Sequence, residues 1–238
     1  MPSSRRIVSR DPEALASKPL GPGLRHAGVT CLMLLAMTAW ASEKPLQGKV
    51  LVLDPGHAVM NDAGKIINPG ARARRGVYER DVALNVAETV APLLEAQGAK
   101  VYMTRTRDNP WRYGYSPPMD NRGRAVLANI VRADAYVRLH CDWNRDKRFK
   151  GFTAFYYRWG SRALAEAIHQ ALRNALPGHR DNGIKRRSFV SASAQMPAVL
   201  IELEVLSNRT EGRELAQGGF QAHLAMAVAE GVIDYFKQ

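Results

Sequence analysis

The chain has 238 residues, 46% of them hydrophobic and 8% aromatic, with a formal net charge of +12. That length and apolar content suit one soluble α/β domain with a substantial core. Gly (19) and Pro (13) are too sparse for a fibrous or low-complexity chain, and no internal repeat of a solenoid is visible.

The first element in chain order is not part of the fold. Ala27–Trp40 is an apolar run of 14 residues preceded by Arg5, Arg6, Arg10, Lys18 and Arg25. Crossing a bilayer takes about 20 residues, and the run ends in Ala39-Trp40-Ala41, a small-x-small cleavage signal. Residues 1–41 are therefore expected to be a secretory signal peptide cut after Ala41, rather than a retained anchor. Ser4-Arg5-Arg6-Ile7-Val8 also carries the arginine pair of a twin-arginine signal, although some 20 residues separate it from the apolar run. Both export routes stay open. Cleavage removes five basic and two acidic side chains and lowers the net charge from +12 to +9. It also removes Cys31 and leaves Cys141 alone, so no intrachain disulfide is available in the exported protein.

Residues 42–47 read as a short linker, and 48–238 as a single domain. Lys49–Asp54 (KVLVLD) is a continuous apolar run, as expected of a strand buried on both faces. Between Glu79 and Gln97 the apolar residues Val82, Val86, Val90, Leu93 and Leu94 recur at helical spacing, with Pro92 placed to kink the last turn and Gly98 as a stop. Lys100–Arg105 is the next strand, Asn121–Ala133 a helix, and Ala135–His140 a third strand. Phe152–Tyr157 is expected to be an additional strand at an edge, and Ser161–Leu176 an amphipathic helix capped by Ser161. Ala198–Glu204 is a further strand. Phe220, Leu224, Val228, Val232 and Phe236, four apart, mark the buried stripe of a closing helix. This alternation predicts an α/β fold, a mostly parallel twisted sheet with helices on both faces.

In such sheets active sites collect at the carboxyl ends of strands, and His57, His140 and Glu202 all fall there. Asp54-Pro55-Gly56-His57 ends a strand in a turn, with glycine permitting the tight geometry. By itself His57 is as well explained as a hydrogen-bonded turn histidine, and His140 is no stronger. Glu79, at a helix start, has an ordinary explanation in the helix dipole. Together, however, two imidazoles and one carboxylate make a three-ligand zinc set, and a further carboxylate beside an open position makes a hydrolase. Glu202 sits within the apolar run Val199–Glu204, where a carboxylate is costly to bury unless paired, protonated or metal-linked. Glu204, two residues on, should project to the same face by strand periodicity, so residue chemistry alone leaves Glu202 and Glu204 as alternatives. His169, His179 and His223 read as non-ligands.

In register along the mature chain, Leu53–His57, Glu79-Arg80-Asp81-Val82, Asn129–Asp134 with His140, Asn182–Lys185 and Pro197–Asn208 resemble the zinc-dependent N-acetylmuramoyl-L-alanine amidases, cell-wall hydrolases of the type often called amidase 3. The resemblance implies that one zinc ion is bound by His57, Glu79 and His140 and that Glu202 is the catalytic carboxylate. It also implies the substrate, peptidoglycan, cleaved between the muramic acid lactyl group and L-alanine of the stem peptide. Position 204 matches a site that is usually small in the family, which disfavours Glu204. Departures are Ala58-Val59 where the family has a second glycine, an insertion-like stretch Met60–Pro69, Cys141-Asp142 after the second histidine, and Glu204-Val205 after Glu202. None removes a ligand.

Asp54 and Asp142 are candidates, by proximity, for orienting the histidines. Only about ten residues separate Asp142 from the strand near Phe152, too few for the long helical plug that blocks zinc in some family members, so no activator protein is expected to be required. Arg72, Arg74, Arg75 and Arg80, then Lys147, Arg148 and Lys150, then Lys185, Arg186 and Arg187 form basic clusters. They serve equally as solvated surface or as long-range attraction to an anionic wall polymer. No nucleic acid partner is expected, because no DNA-binding module is present. After signal cleavage no stable membrane insertion is expected, with the periplasm favoured over the extracellular medium. Two other readings compete with the amidase: a zinc peptidase of the cell wall, and a wall-binding protein without catalysis.

Overall fold

The structure, a computed structural model, describes residues 44–61, 63–73, 76–109, 111, 117–188 and 193–238. The expected signal peptide lies outside these, as do Arg74 and Arg75. Lys44–Gln238 forms one compact unit. Leu46 is fully buried and its N–H donates to the Gln97 carbonyl, so the packed domain begins within the stretch expected to be a linker. Among the described residues no helix is long and apolar enough to cross a membrane.

The elements follow in order as β1 (Val50–Pro55), β2 (Val59–Met60), β3 (Ile66–Asn68), α1 (Glu79–Ala96), β4 (Lys100–Met103), α2 (Pro117–Ile130), β5 (Ala135–Asp142), β6 (Phe152–Tyr156), α3 (Arg162–Ala175), β7 (Asp181–Arg186), β8 (Ala198–Val205), α4 (Glu211–Glu214) and α5 (Gly218–Phe236). A six-stranded sheet runs in the order β4-β1-β5-β8-β6-β7. Strands β4, β1, β5 and β8 are mutually parallel, β6 runs antiparallel to β8, and β7 is parallel to β6. The expected mostly parallel sheet is present.

Burial on both faces explains the apolar runs. One face packs Val82, Val86 and Val90 of α1, Leu164, Ile168 and Leu172 of α3, and Leu224, Val228 and Val232 of α5 into the main core. The other face, with Val52, Tyr136 and Ala198, is covered by Ala125 and Ala128 of α2. The chain leaves β1 for β4 on one side and later returns to β5 on the other. That reversal of direction beside β1 creates the crevice at the strand ends in which α/β folds bind ligands.

Three local expectations need correction. Strand β6 is not at an edge; it lies between β8 and β7, and β7, a polar strand of sequence DNGIKR, takes the edge instead. Ser161 does not cap α3, because its hydroxyl accepts the Ala198 N–H at 2.9 Å. The insertion-like stretch folds as the small β2–β3 antiparallel pair.

Below the crevice lies a buried ionic cluster. Asp54 is fully buried and its two carboxylate oxygens accept from Arg124 (2.7 Å), Arg138 (2.8 Å), the Tyr136 hydroxyl (2.7 Å) and the Thr104 hydroxyl (2.5 Å). Burial opposes its ionisation, but the guanidiniums of Arg124 and Arg138 and the two hydroxyls overcome this and hold the carboxyl far below the usual carboxylate range. Replacing Asp54 by Asn leaves two buried guanidiniums undercompensated and is expected to cost about 3–5 kcal/mol of stability at pH 7. A depressed carboxylate contributes its full stabilisation above its unfolded value of about 4, and that contribution declines progressively as the pH falls below it towards the much lower folded-state value. Urea unfolding at pH 7 and from pH 5 to 3 should therefore show the gap between wild type and Asp54→Asn narrowing with acid; a constant gap would place the stabilisation elsewhere.

Candidate active site

The four residues singled out in the sequence meet in one open cleft of about 590 Å³ at the carboxyl ends of β1, β5 and β8. His57 follows β1, Glu79 opens α1, His140 lies in β5 and Glu202 in β8. Glu79 Oε1 is 2.8 Å from His57 Nε2 and 3.0 Å from His140 Nδ1. The two imidazoles stand edge to face, with ring centroids 4.9 Å apart.

Local backbone chemistry explains how His57 reaches this position. His57 and Ala58 both have positive φ, 64° and 60°, a left-handed conformation that costs a non-glycine residue roughly 1–2 kcal/mol. Gly56 itself has no positive φ; its role is close approach. A Cβ there would lie 2.3 Å from Cε1 and 2.5 Å from Nε2 of the His140 ring. The expected use of this glycine for turn flexibility is thus replaced by a packing requirement. Gly70, at φ 73°, similarly leaves room for His57 and Glu79.

Glu79 does not serve the dipole of its own helix alone. It is 4% exposed and accepts the N–H groups of Ala71 (2.9 Å) and Cys141 (3.1 Å). Burial opposes its ionisation, yet hydrogen bonds from both histidines hold its carboxyl well below the ordinary range. Burial pulls His140 down to about 4, so its imidazole is neutral at pH 7. For His57 burial acts in the same direction but loses to Glu79, and the pKa is raised.

The orienting groups differ from those expected. Asp54 belongs to the buried arginine cluster, and Asp142 accepts its neighbour's Trp143 N–H; neither is bonded to a histidine. Asn68 of β3 instead sits 2.9 Å from His57 Nδ1. Nδ1 donates to the Asn68 side-chain oxygen and Nε2 to Glu79, and these two bonds fix the ring's orientation in the cleft. Sequence reasoning missed Asn68, since it arrives from the inserted stretch. It also missed Arg124, whose Nη2 donates to the His57 carbonyl at 2.7 Å, and Arg105, whose guanidinium bonds the Pro55 and Gly56 carbonyls.

Glu202 pairs in register with His140 on the neighbouring strand, so both side chains leave the sheet on one face, at the strand spacing of about 4.8 Å. One Glu202 carboxylate oxygen is buried without a partner among the described residues. Burial, reinforced by the charges of Glu79 and Asp142, pushes its carboxyl well above the usual range. Glu204 does not share this face. The register slips between His140–Glu202 and Asp142–Val205, and Glu204 turns to His179, 2.7 Å away. Of the other histidines read as non-ligands, His169 pairs with Asp181 at 2.7 Å and His223 bonds the Ala175 carbonyl.

The sequence profile of the N-acetylmuramoyl-L-alanine amidase family matches residues 51–234. The chain belongs to this family. A germination-specific N-acetylmuramoyl-L-alanine amidase of Bacillus subtilis is 30% identical over 206 residues, 82% of each chain. Other curated relatives, named probable cell wall amidases, are longer, and the chain spans about 60% of their length. Among solved structures, amidase AmiC2 of Nostoc punctiforme superposes with a TM-score of 0.70 at 26% identity, covering 81% of this chain and 99% of its own. The CwlD amidase of Clostridioides difficile, solved in complex with the GerS lipoprotein, gives a TM-score of 0.70 at 24% identity over 80% of this chain and 99% of its own. The cleft described above is thus the candidate active site of a peptidoglycan amidase.

His57, Glu79 and His140 each offer one ligand atom, all within 4.8 Å of one another. Ligand atoms around one ion at about 2.1 Å lie some 3.4 Å apart in tetrahedral geometry, so the donor set fits a divalent metal after small movements. Gly56→Ala, which forces the His140 ring aside, is expected to lower metal affinity on the order of 10–100-fold. Titration against a competing chelator measures it; unchanged affinity would remove His140 from the donor set.

Proposed function

We propose that the protein hydrolyses the amide between the muramic acid lactyl group and L-alanine of the peptidoglycan stem peptide, with His57, Glu79 and His140 holding one zinc ion and Glu202 as general base. The observation that carries this reading is the convergence of two imidazoles and Glu79 beside a buried Glu202 oxygen that has no partner among the described residues, in one open cleft. A neutral-imidazole and carboxylate set is what zinc takes in hydrolases. Bound there, zinc supplies Lewis acidity, polarising the scissile carbonyl and acidifying water.

The protein's own residues do the rest. Asn68 fixes the His57 ring with Nε2 towards Glu79 and the cleft, and the Ala71 and Cys141 amides keep Glu79 aimed. Glu202, whose carboxyl burial pushes up, takes the proton of the attacking water and returns it to the leaving nitrogen, as a general base and then acid does. The products are stem peptide with a free L-alanine amino group and glycan with unsubstituted muramic acid.

Export through the signal peptide of residues 1–41 places this reaction outside the cytoplasm, with the periplasm favoured. We also propose that no partner is needed for activity. Residues 143–151 form turns rather than a plug helix, fastened by Asn208 to the Lys147 and Phe149 carbonyls. The lipoprotein bound by CwlD makes a partner the alternative to test.

Purified protein should release whole stem peptides beginning at L-alanine from peptidoglycan, and a chelator should abolish this until zinc is restored. Glu202→Gln should keep its metal yet lose turnover on the order of 10²–10⁴-fold. Other fragments would reassign the chain to a zinc peptidase, and wall binding without products would leave a binding protein. Activity that appears only with added lipoprotein would overturn the partner-free reading alone.

A further inference from the structure

Behind the cleft, the descent of β8 leads to a second cluster that the reaction does not use. Glu204 is fully buried, and one of its oxygens lies 2.7 Å from His179 Nδ1 in the connection between α3 and β7. Its other oxygen has no partner among the described residues, and neither does one buried oxygen of Glu214, at the end of α4. His179, Glu204 and Glu214 each present a ligand atom within 4.8 Å of the other two. His179 and Glu214 line a recess of about 400 Å³ that shares no lining residue with the active-site cleft.

The neighbours do not satisfy these carboxylates. Glu211 is occupied in accepting the Gly151 and Val205 N–H groups, and it adds a third acidic group beside them. At the rim Arg148 is paired with Asp146 and Arg180 bonds Asn182, while Lys150 lines the recess and attracts Glu204 through its charge. The His179 ring stacks on Phe220 at 5.8 Å, which holds its Nδ1 towards Glu204. Two buried carboxylate oxygens without partners are expensive in a protein interior unless a proton or a cation joins them. One imidazole and two carboxylates are the donors that a borderline divalent ion prefers.

We propose that His179, Glu204 and Glu214 form a second divalent-cation site, of the zinc class, that ties the α3–β7 connection, β8 and α4 together. It stands independently of the reading of the cleft, and its bound ion has a structural role, bracing β8 two residues beyond Glu202.

The test separates the two sites by removing one at a time in the full chain. A His57→Ala/His140→Ala double variant, equilibrated with Zn²⁺ or Co²⁺ and freed of excess, should retain one metal per chain. With Co²⁺ it should show the visible absorption of a low-symmetry nitrogen–oxygen site, and zinc should raise its unfolding temperature. Adding Glu214→Gln or His179→Ala should abolish all three signals. In the otherwise wild-type chain, His179→Ala should lower metal content by one equivalent, which covers the case in which the double variant fails to fold. A folded double variant without metal, or metal content indifferent to both Glu214→Gln and His179→Ala, would overturn the proposal and leave a proton shared by Glu204 and its neighbours as the cluster's stabiliser.

Discussion

The site depends on one buried guanidinium. Arg124 is fully buried and bonds Asp54 and Asp120 at 2.7 Å each, the Pro55 carbonyl at 3.1 Å and the His57 carbonyl at 2.7 Å. It therefore couples the end of β1 to helix α2 on the far face of the sheet. A buried arginine that donates to four acceptors from one rigid plane fixes geometry more firmly than an apolar contact does. Arg105 completes the frame by holding the Pro55 and Gly56 carbonyls from the other side and the Arg80 carbonyl of α1.

That frame accounts for the left-handed backbone at His57 and Ala58. Two consecutive non-glycine residues at positive φ are unfavourable by roughly 1–2 kcal/mol each and persist only where their surroundings over-determine them. Here the His57 carbonyl is fixed by Arg124, and the Ala58 N–H donates to Asn68 at 2.7 Å. The same Asn68 uses its side chain on His57 Nδ1. One residue of the inserted β2–β3 pair thus fixes the backbone and the imidazole together. The strain is local, and the payoff is a ring aimed at Glu79 before any ligand arrives.

Much of the fold was legible because burial leaves a pattern. Strands β1, β5 and β8 are continuous apolar runs since both faces are covered, and α5 shows its stripe through Leu224, Val228 and Val232. Strand β7 was not legible: it lies at the sheet edge and carries polar residues, so it has no alternation to detect. Among the site residues, His57, Glu79, His140 and Glu202 stood out through strand ends and family spacing. Arg124 did not, because an arginine in a helical pattern is ordinarily exposed and its partner Asp54 is 70 positions away. Asn68 left no signal either, since nothing in an inserted polar stretch marks the residue that will meet an imidazole.

Glu202 and Glu204 show most sharply what periodicity omits. Alternation assigns both to one face, and a single register slip sends them to different chemistry. Before the slip, Glu202 is held beside His140 and lines the cleft; after it, Glu204 is buried against His179. An extra residue within a paired strand re-aims the side chain that follows, and such bulges concentrate beside active sites. In this chain the slip keeps a second carboxylate away from Glu79, whose charge already raises the Glu202 pKa. A third carboxylate on that face would add like charge where one proton-transferring group is wanted, so the separation preserves Glu202 as the cleft's lone titrating acid from β8.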